Sequence, residues 1–383
     1  MSLLPTPDPI AQQHSNQLTE YLKTEIATHG ALSFARYMEL ALYAPGLGYY
    51  SAGTHKFGSG GDFTTAPEIS PLFGQTLAKQ IQPVLETLGQ GDILEFGAGS
   101  GRLAIDILTA LQKNKTLPQH YYILELSPEL QQRQQNLITT HLPDLENRVS
   151  WLNALPSTFQ GVVLANEALD AMPASRFQWH HNAPKESYVT WQQNQFCEFF
   201  DTPHPELAEK ITQLEVKFSE HYTSEIHLTL PAWIASIADF LQKGLVLLID
   251  YGFPRHEYYH PDRSMGTLMC HYQHLAHTNP FYWPGLQDIT AHIDFTAIAE
   301  AAIQANLSVA GYTTQAHFLL SCGQRDWAVN METDIYQQLQ TSQQLKKLLL
   351  PSEMGELFKV IALTRGLPQP LLGFTLHDMR EKL

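Results

Sequence analysis

Apolar residues through the middle of the chain come in short continuous runs, and each run gives way to a stretch of helical period. Ile93, Leu94 and Phe96 form one run, after which Leu103, Ile107, Leu108 and Leu111 fall on one face of a helix. The unit then repeats. Tyr121–Ser127 reads as a strand ending in Glu125, with Ser127-Pro128-Glu129 opening the next helix. Arg148–Asn153 reads as a third strand, and Gly161–Asp170 as a fourth. Continuous rather than alternating apolar runs belong to parallel strands covered on both faces. Strands alternating with helices in this way build right-handed βαβ units.

The pattern changes over Ser175–Phe200, where apolar and polar residues alternate with period two around a polar turn near Gln193. That predicts an inserted antiparallel element. Beyond it, Pro231–Lys243 reads as a helix, Leu245–Asp250 as a fifth parallel strand and Phe295–Ala305 as a helix. Leu307–Thr314 reads as a strand, Asp326–Leu349 as a helix and Leu357–Arg365 as the closing strand. Upstream, Ser15–Leu42 reads as two amphipathic helices and Pro71–Leu88 as a helix leading into the first sheet strand. Between them lies the glycine-rich loop Tyr43–Phe63, whose aromatics Tyr49, Tyr50 and Phe57 favour ordering. A loop this long is expected to be functional, here a lid over a ligand, with a static packing arm as the alternative. The expected organisation is a helical region with a lid loop over residues 1–88, then a large α/β domain over 89–383. Within that domain an insertion is expected at about 174–230 and a long substrate loop at about 251–292.

The turn after the first strand carries the chemistry. Glu95-Phe96-Gly97-Ala98-Gly99-Ser100-Gly101 places glycines where a backbone must turn tightly and meet a ligand closely. A dinucleotide fingerprint would need glycine where Arg102 stands, which weakens a nicotinamide oxidoreductase reading. The spacing suits a nucleoside bound without a pyrophosphate. Glu125, at the tip of the second strand, can accept both ribose hydroxyls; a first-turn acid favouring the helix dipole is the bland alternative. Asn153 and Asn166 end the third and fourth strands, at the edge where ligands sit in open α/β sheets.

Composition narrows the classes. The net charge of −15 argues against binding a phosphate backbone and fits an encounter with a basic partner. Cys197, Cys270 and Cys322 are odd in number and far apart, as expected of reduced thiols rather than a disulfide framework. Apolar runs are far shorter than the roughly twenty residues of a membrane span, so no membrane insertion is expected. The first arginine is Arg36, so an arginine-rich leader is not expected and the expected location is cytoplasmic. His271, His274 and His277 recur every third residue rather than at the i, i+4 spacing of zinc ligands on a helix, so no metal is expected there.

Five segments in order, GDFTTAPEIS (61–70), ILEFGAGSG (93–101), LANEALDAMPASRF (164–177), LLIDYG (247–252) and DITAHIDF (288–295), together resemble the MidA family of S-adenosylmethionine-dependent methyltransferases. The likeness runs from about Arg36 to Arg365. It implies a class I, Rossmann-like α/β fold: a seven-stranded, mostly parallel sheet with helices on both faces and the last strand inserted antiparallel. To this the chain adds an N-terminal helical arm and an inserted β element. It also implies S-adenosylmethionine as cofactor and, from the family's mitochondrial members, methylation of an arginine in a core subunit of respiratory complex I. The cofactor candidates are then Glu95, Gly97, Ala98, Gly99, Gly101, Glu125, Asn153 and Asn166. Two carboxylates can grip a guanidinium and take up the proton lost on methyl transfer. Glu68, Glu167 and Asp170 are the catalytic candidates, with Asp62, Asp250 and Tyr251 toward the substrate. Helix capping is the structural alternative for Glu167 and Asp170, whose spacing would put both on one face of a first helical turn. A first-turn acid is the alternative for Glu68, and a loop cap for Asp62. Other readings are methylation of a small molecule or another side chain, and a cofactor-binding assembly factor or chaperone.

Overall fold

The computed structural model describes residues 4–52, 64–329, 335–368 and 370–383. The chain divides into two compact units, one of residues 64–169, 231–254 and 295–383, the other of residues 1–63, 170–230 and 255–294.

The first unit is built on a sheet whose strands we label β1 (Asp92–Phe96), β2 (Tyr121–Leu124), β3 (Val149–Leu152), β4 (Phe159–Asn166), β5 (Leu241–Phe253), β6 (Ser308–Thr314) and β7 (Phe358–Arg365). Across the sheet they run β3-β2-β1-β4-β5-β7-β6. Neighbours from β3 to β5 pair parallel, and β7 lies antiparallel between β5 and β6. This is the class I methyltransferase arrangement. The period-two rule sorts its core. Ile93, Val162, Leu164, Leu245, Leu247, Ile249, Val360 and Ala362 form one cluster with Phe73, Leu77 and Ile81 of the helix Pro71–Leu88 and Leu103, Ile107 and Leu111 of the helix Arg102–Lys113. The alternate residues Leu94, Val163, Val246 and Leu248 are wholly buried on the other face. There Phe96 meets Trp233 of the helix Leu230–Phe240, and Tyr312 meets Phe295, the first residue of the helix Phe295–Gln304.

Several element boundaries differ from expectation, the first helix starting at Pro9 rather than Ser15. In place of the one helix expected over Asp326–Leu349 the described residues form two, Gln315–Val329 and Ile335–Leu349, and the first starts where the Thr314 hydroxyl accepts the His317 amide and caps it. The helix expected to run to Lys243 stops at Phe240, since Leu241 is already paired with Phe159 in the sheet.

The second unit is antiparallel. Ser175–His180, Ala183–Gln192 and Gln195–Asp201 form two successive hairpins, extended by Leu32–Ser33 on one side and Thr223–Ile226 on the other. Both hairpins turn on two residues at positive φ, His181-Asn182 (51° and 59°) and Gln193-Asn194 (50° and 60°), which matches the twist of the flanking strands. A smaller sheet pairs Met269–Tyr272 with Leu275–His277 and with Asp288–Thr290. The helices Pro9–His29 and Phe34–Tyr43 contribute Leu18, Leu22, Tyr37 and Met38 to the core of this unit. Residues 53–63, including Phe57 and Asp62, lie outside the described residues. The first half of the loop expected as a lid is docked within this unit. Tyr50 stacks on Tyr43 at 5.5 Å and donates to Asp288 Oδ1 at 3.0 Å. Among the described residues, no helix is long and apolar enough to cross a membrane.

Glu95 is a buried acid one residue before the end of β1, only 2% exposed, and Tyr121 donates its hydroxyl to Glu95 Oε2 at 2.7 Å. Burial pushes the carboxyl up to about 7; the tyrosine hydrogen bond opposes this and the charge of Glu125 adds to it. The fold therefore favours the neutral acid. That contribution is complete below about pH 4.5 and is lost as the pH rises through about 7. Thermal unfolding followed from about pH 5 to pH 8 should show the native protein losing stability relative to Glu95→Gln, by about 2 kcal/mol at the upper end. Parallel curves for the two proteins would rule this out.

Candidate active site

The turn after β1 runs through three left-handed glycines, Gly97 (φ 63°), Gly99 (φ 53°) and Gly101 (φ 87°). Such angles cost any residue with a Cβ, and a β-branched one most. A Cβ at Gly97 would meet only Ala168 Cβ, at 3.6 Å, so there the backbone angle rather than crowding calls for glycine. Leu124 O accepts the Gly97 amide at 3.0 Å, tying the turn to the end of β2. The helix Arg102–Lys113 starts directly at Gly101. The result is a concave backbone surface with a helix N-terminus behind it, suited to the polar edge of a nucleoside.

Around this turn the parallel strands end in polar residues. Glu125, half-buried, follows β2; its Oε1 accepts the Ser127 amide at 3.0 Å and its Oε2 the Gln134 side-chain amide at 3.1 Å. Asn153 follows β3 and is exposed. Asn166 ends β4 and is 9% exposed; it donates Nδ2 to Glu167 Oε1 at 3.1 Å, while its buried Oδ1 has no hydrogen-bond partner among the described residues. A buried acceptor left open at the ligand edge fits a donor brought by a bound molecule.

Gln134 is the residue that sequence reasoning missed. It is wholly buried on the helix Pro128–His141. It donates to Gly99 O at 2.9 Å and to Glu125 Oε2, and accepts Trp151 Nε1–H at 2.7 Å. One side chain thus joins the glycine turn, the tip of β2 and β3. The available signal was its place at i, i+4 between Leu130 and Ile138, a polar residue in the helix's buried stripe.

The candidate carboxylates separate into groups. Glu68 lies on the short helix Ala66–Ile69 and accepts the hydroxyl of Ser100, inside the glycine turn. Glu167 follows β4, and its Oε1 also accepts the Ala66 amide at 3.2 Å. The short helix is therefore held at one end by the glycine turn and at the other by the end of β4. Asp106 lies close enough for Glu68 to influence it: burial raises its carboxyl to about 6, with Arg102 opposing and Glu68 adding. Glu167 and Asp170 do not share a helical face, as the spacing had predicted. Glu167 has φ 51°, and residues 167–170 form bends and a turn, so no helix starts there. Asp170 is buried in the second unit, where its carbonyl accepts the Ala291 amide at 3.0 Å. Asp250 is fully buried at the sheet edge, its two oxygens accepting the amides of Leu169 and Tyr251, each at 2.9 Å. Its carboxylate thereby fixes the bend that carries Glu167. Tyr251 packs edge-on against Phe358 at 5.2 Å.

The remaining reactive groups belong to other elements. The three cysteines are free thiols. His271, His274 and His277 lie in or beside a hairpin whose turn is Gln273-His274. Among the described residues, the group of His, Cys, Asp and Glu ligand atoms close enough to share an ion is His180, Glu220 and His221, in the second unit.

Comparison with known proteins places this edge in context. Residues 76–313 match a family model described as "Putative S-adenosyl-L-methionine-dependent methyltransferase". The chain is 43% identical, over the full length of both, to a Burkholderia thailandensis protein whose crystal structure was solved bound to S-adenosyl-homocysteine, with a TM-score of 0.94. It is 26% identical to the mitochondrial protein arginine methyltransferase NDUFAF7 of Danio rerio, over 96% of this chain and 94% of that one. It is 29% identical to the Mus musculus protein of that name, over 91% and 85%. The glycine turn, the strand-tip acid and the strand order fit S-adenosylmethionine as cofactor, and the chain belongs to the MidA-like family of S-adenosylmethionine-dependent methyltransferases.

Proposed function

We propose that the protein methylates an arginine side chain of a protein substrate, with a subunit of respiratory complex I as the partner the family resemblance implies. The observation that carries the reading is Glu167. It is a non-glycine residue held at φ 51° at the carboxyl end of a parallel strand, with its carboxylate fixed by the Ala66 amide and Asn166. A left-handed backbone costs such a residue about 1 kcal/mol, and strain of this kind collects where function requires a side chain. The names of the relatives from Danio rerio and Mus musculus support arginine as the acceptor. The net charge of −15 suits a basic partner.

S-adenosylmethionine, when bound, supplies a methyl group already activated by its sulfonium. What remains for the chain is positioning and proton handling. The glycine turn and Glu125 hold the nucleoside, with Glu125 toward the ribose hydroxyls. Guanidinium stays protonated in proteins, so it must be gripped and must shed a proton as it is methylated. Glu167 grips it through charge-assisted hydrogen bonds and receives that proton. Glu68, tethered to Ser100, is the second carboxylate on the same unit.

Calorimetry should show S-adenosylmethionine and S-adenosylhomocysteine binding and NAD failing to bind. Gly99→Val, which forces a β-branched residue to φ 53°, should remove that binding while the circular dichroism spectrum is kept. Tight NAD binding would sink this assignment.

Methyl transfer is best read with radiolabelled cofactor and lysate from a strain lacking the gene, the labelled protein and residue being identified by mass spectrometry. Arginine should carry the label. Glu167→Gln should lower transfer by about 10²–10⁴-fold while cofactor affinity stays within a few-fold. Label confined to another side chain or a small molecule would refute the arginine reading. Undiminished transfer by the variant would move the proton-accepting role to Glu68.

A further inference from the structure

We infer that Gln134 is the positioning residue of the nucleoside site: it aims the carboxylate of Glu125 and thereby sets how well ribose is held. The inference rests on the reading of Glu125 as the ribose-binding acid. The donor and acceptor inventory fixes the amide's orientation. Trp151 Nε1–H can only donate, so the carbonyl end of Gln134 must face it, at 2.7 Å. The NH2 end then has its two hydrogens for two acceptors, Gly99 O at 2.9 Å and Glu125 Oε2 at 3.1 Å. Both hydrogens of the amide nitrogen are thus used on a side chain that is itself wholly buried.

The Glu125 carboxylate is consequently held from both sides, Oε1 by the Ser127 amide and Oε2 by Gln134. Each carboxylate oxygen can accept more than one hydrogen bond, so ribose hydroxyls can still be taken. Gly101 lets this happen. A Cβ there would sit 3.3–3.4 Å from Cγ, Cα and Cβ of Gln134, so glycine is what admits the helix so close to the turn. The glycine turn, the ribose acid and β3 are thereby joined by one side chain; Leu124 and Glu68 still tether the turn when Gln134 is changed, so the change reaches the ligand through Glu125.

The test is a calorimetric cycle with S-adenosylhomocysteine and its 2′,3′-dideoxyribose analogue, on the full chain. The variants are Gln134→Leu, Glu125→Gln and the double substitution. Gln134→Leu should weaken S-adenosylhomocysteine by about 10- to 100-fold, the loss expected for a hydrogen bond to a charged group, yet alter the analogue by less than about threefold. The double variant should bind within about threefold of Glu125→Gln alone, because the two act as one unit. Where Gln134→Leu does not fold, Gln134→Glu keeps the shape and sets a second carboxylate against Glu125, and the same discrimination between ligands is expected. Equal losses for both ligands, or additive losses in the double variant, would reduce Gln134 to core packing and overturn the inference. A harmful Glu125→Gln beside a harmless Gln134→Leu overturns this inference alone, whereas a harmless Glu125→Gln overturns the reading of Glu125 as well.

Discussion

Three left-handed glycines in one turn give a backbone that can approach a ligand, but they supply no side chains to hold that backbone still. The shape of the turn therefore depends on hydrogen bonds brought from elsewhere. Leu124 O takes the Gly97 amide, Gln134 binds Gly99 O, and Glu68 takes the Ser100 hydroxyl. Each tether comes from a different part of the same unit, namely the end of β2, the helix after it, and the short helix Ala66–Ile69. They share one surface, so the loss of one tether leaves two to hold it. The neighbouring glycine preserves the arrangement by letting a helix come within van der Waals contact.

Buried acids in this unit are used in two contrasting ways. Asp250 is fully buried, and both of its oxygens accept backbone amides, which fixes the geometry of the bend after β4. Glu95 has the tyrosine hydrogen bond and the added repulsion of Glu125, and burial leaves it favouring the neutral form. Among these contacts the donors differ in kind: two backbone amides for Asp250, a tyrosine hydroxyl for Glu95.

The sheet was legible in the sequence because its signals are local. The apolar run Ile93–Phe96 followed by Leu103, Ile107 and Leu111 states a strand, a turn and a helix within a few residues. The polar strand ends were legible for the same reason, since Glu125, Asn153 and Asn166 each follow an apolar run. What the sequence hid depends on partners distant along the chain. Gln134 falls on the buried stripe of its helix, but what it joins appears only once Trp151 and Gly99 close on it. The spacing of Glu167 and Asp170 suggested a helix, whereas pairing with Ile249 O and the Asp250 cap impose a bend. Asp250 read as a ligand residue because it ends a strand, and only the amides of Leu169 and Tyr251 show how it is engaged. The boundary at Gln315 was missed because a threonine cap is a weak sign beside a continuous strand.

The left-handed backbone at Glu167 has a consequence for how this position can drift. Glycine is the residue that such an angle accommodates without steric penalty, and substitutions that relieve local strain are readily found in most proteins. Under selection for a stable fold alone, codon by codon, position 167 would slide toward glycine and stay there. Glu167 carries that backbone cost while its carboxylate joins the Ala66 amide to Asn166, two contacts that a glycine would give up.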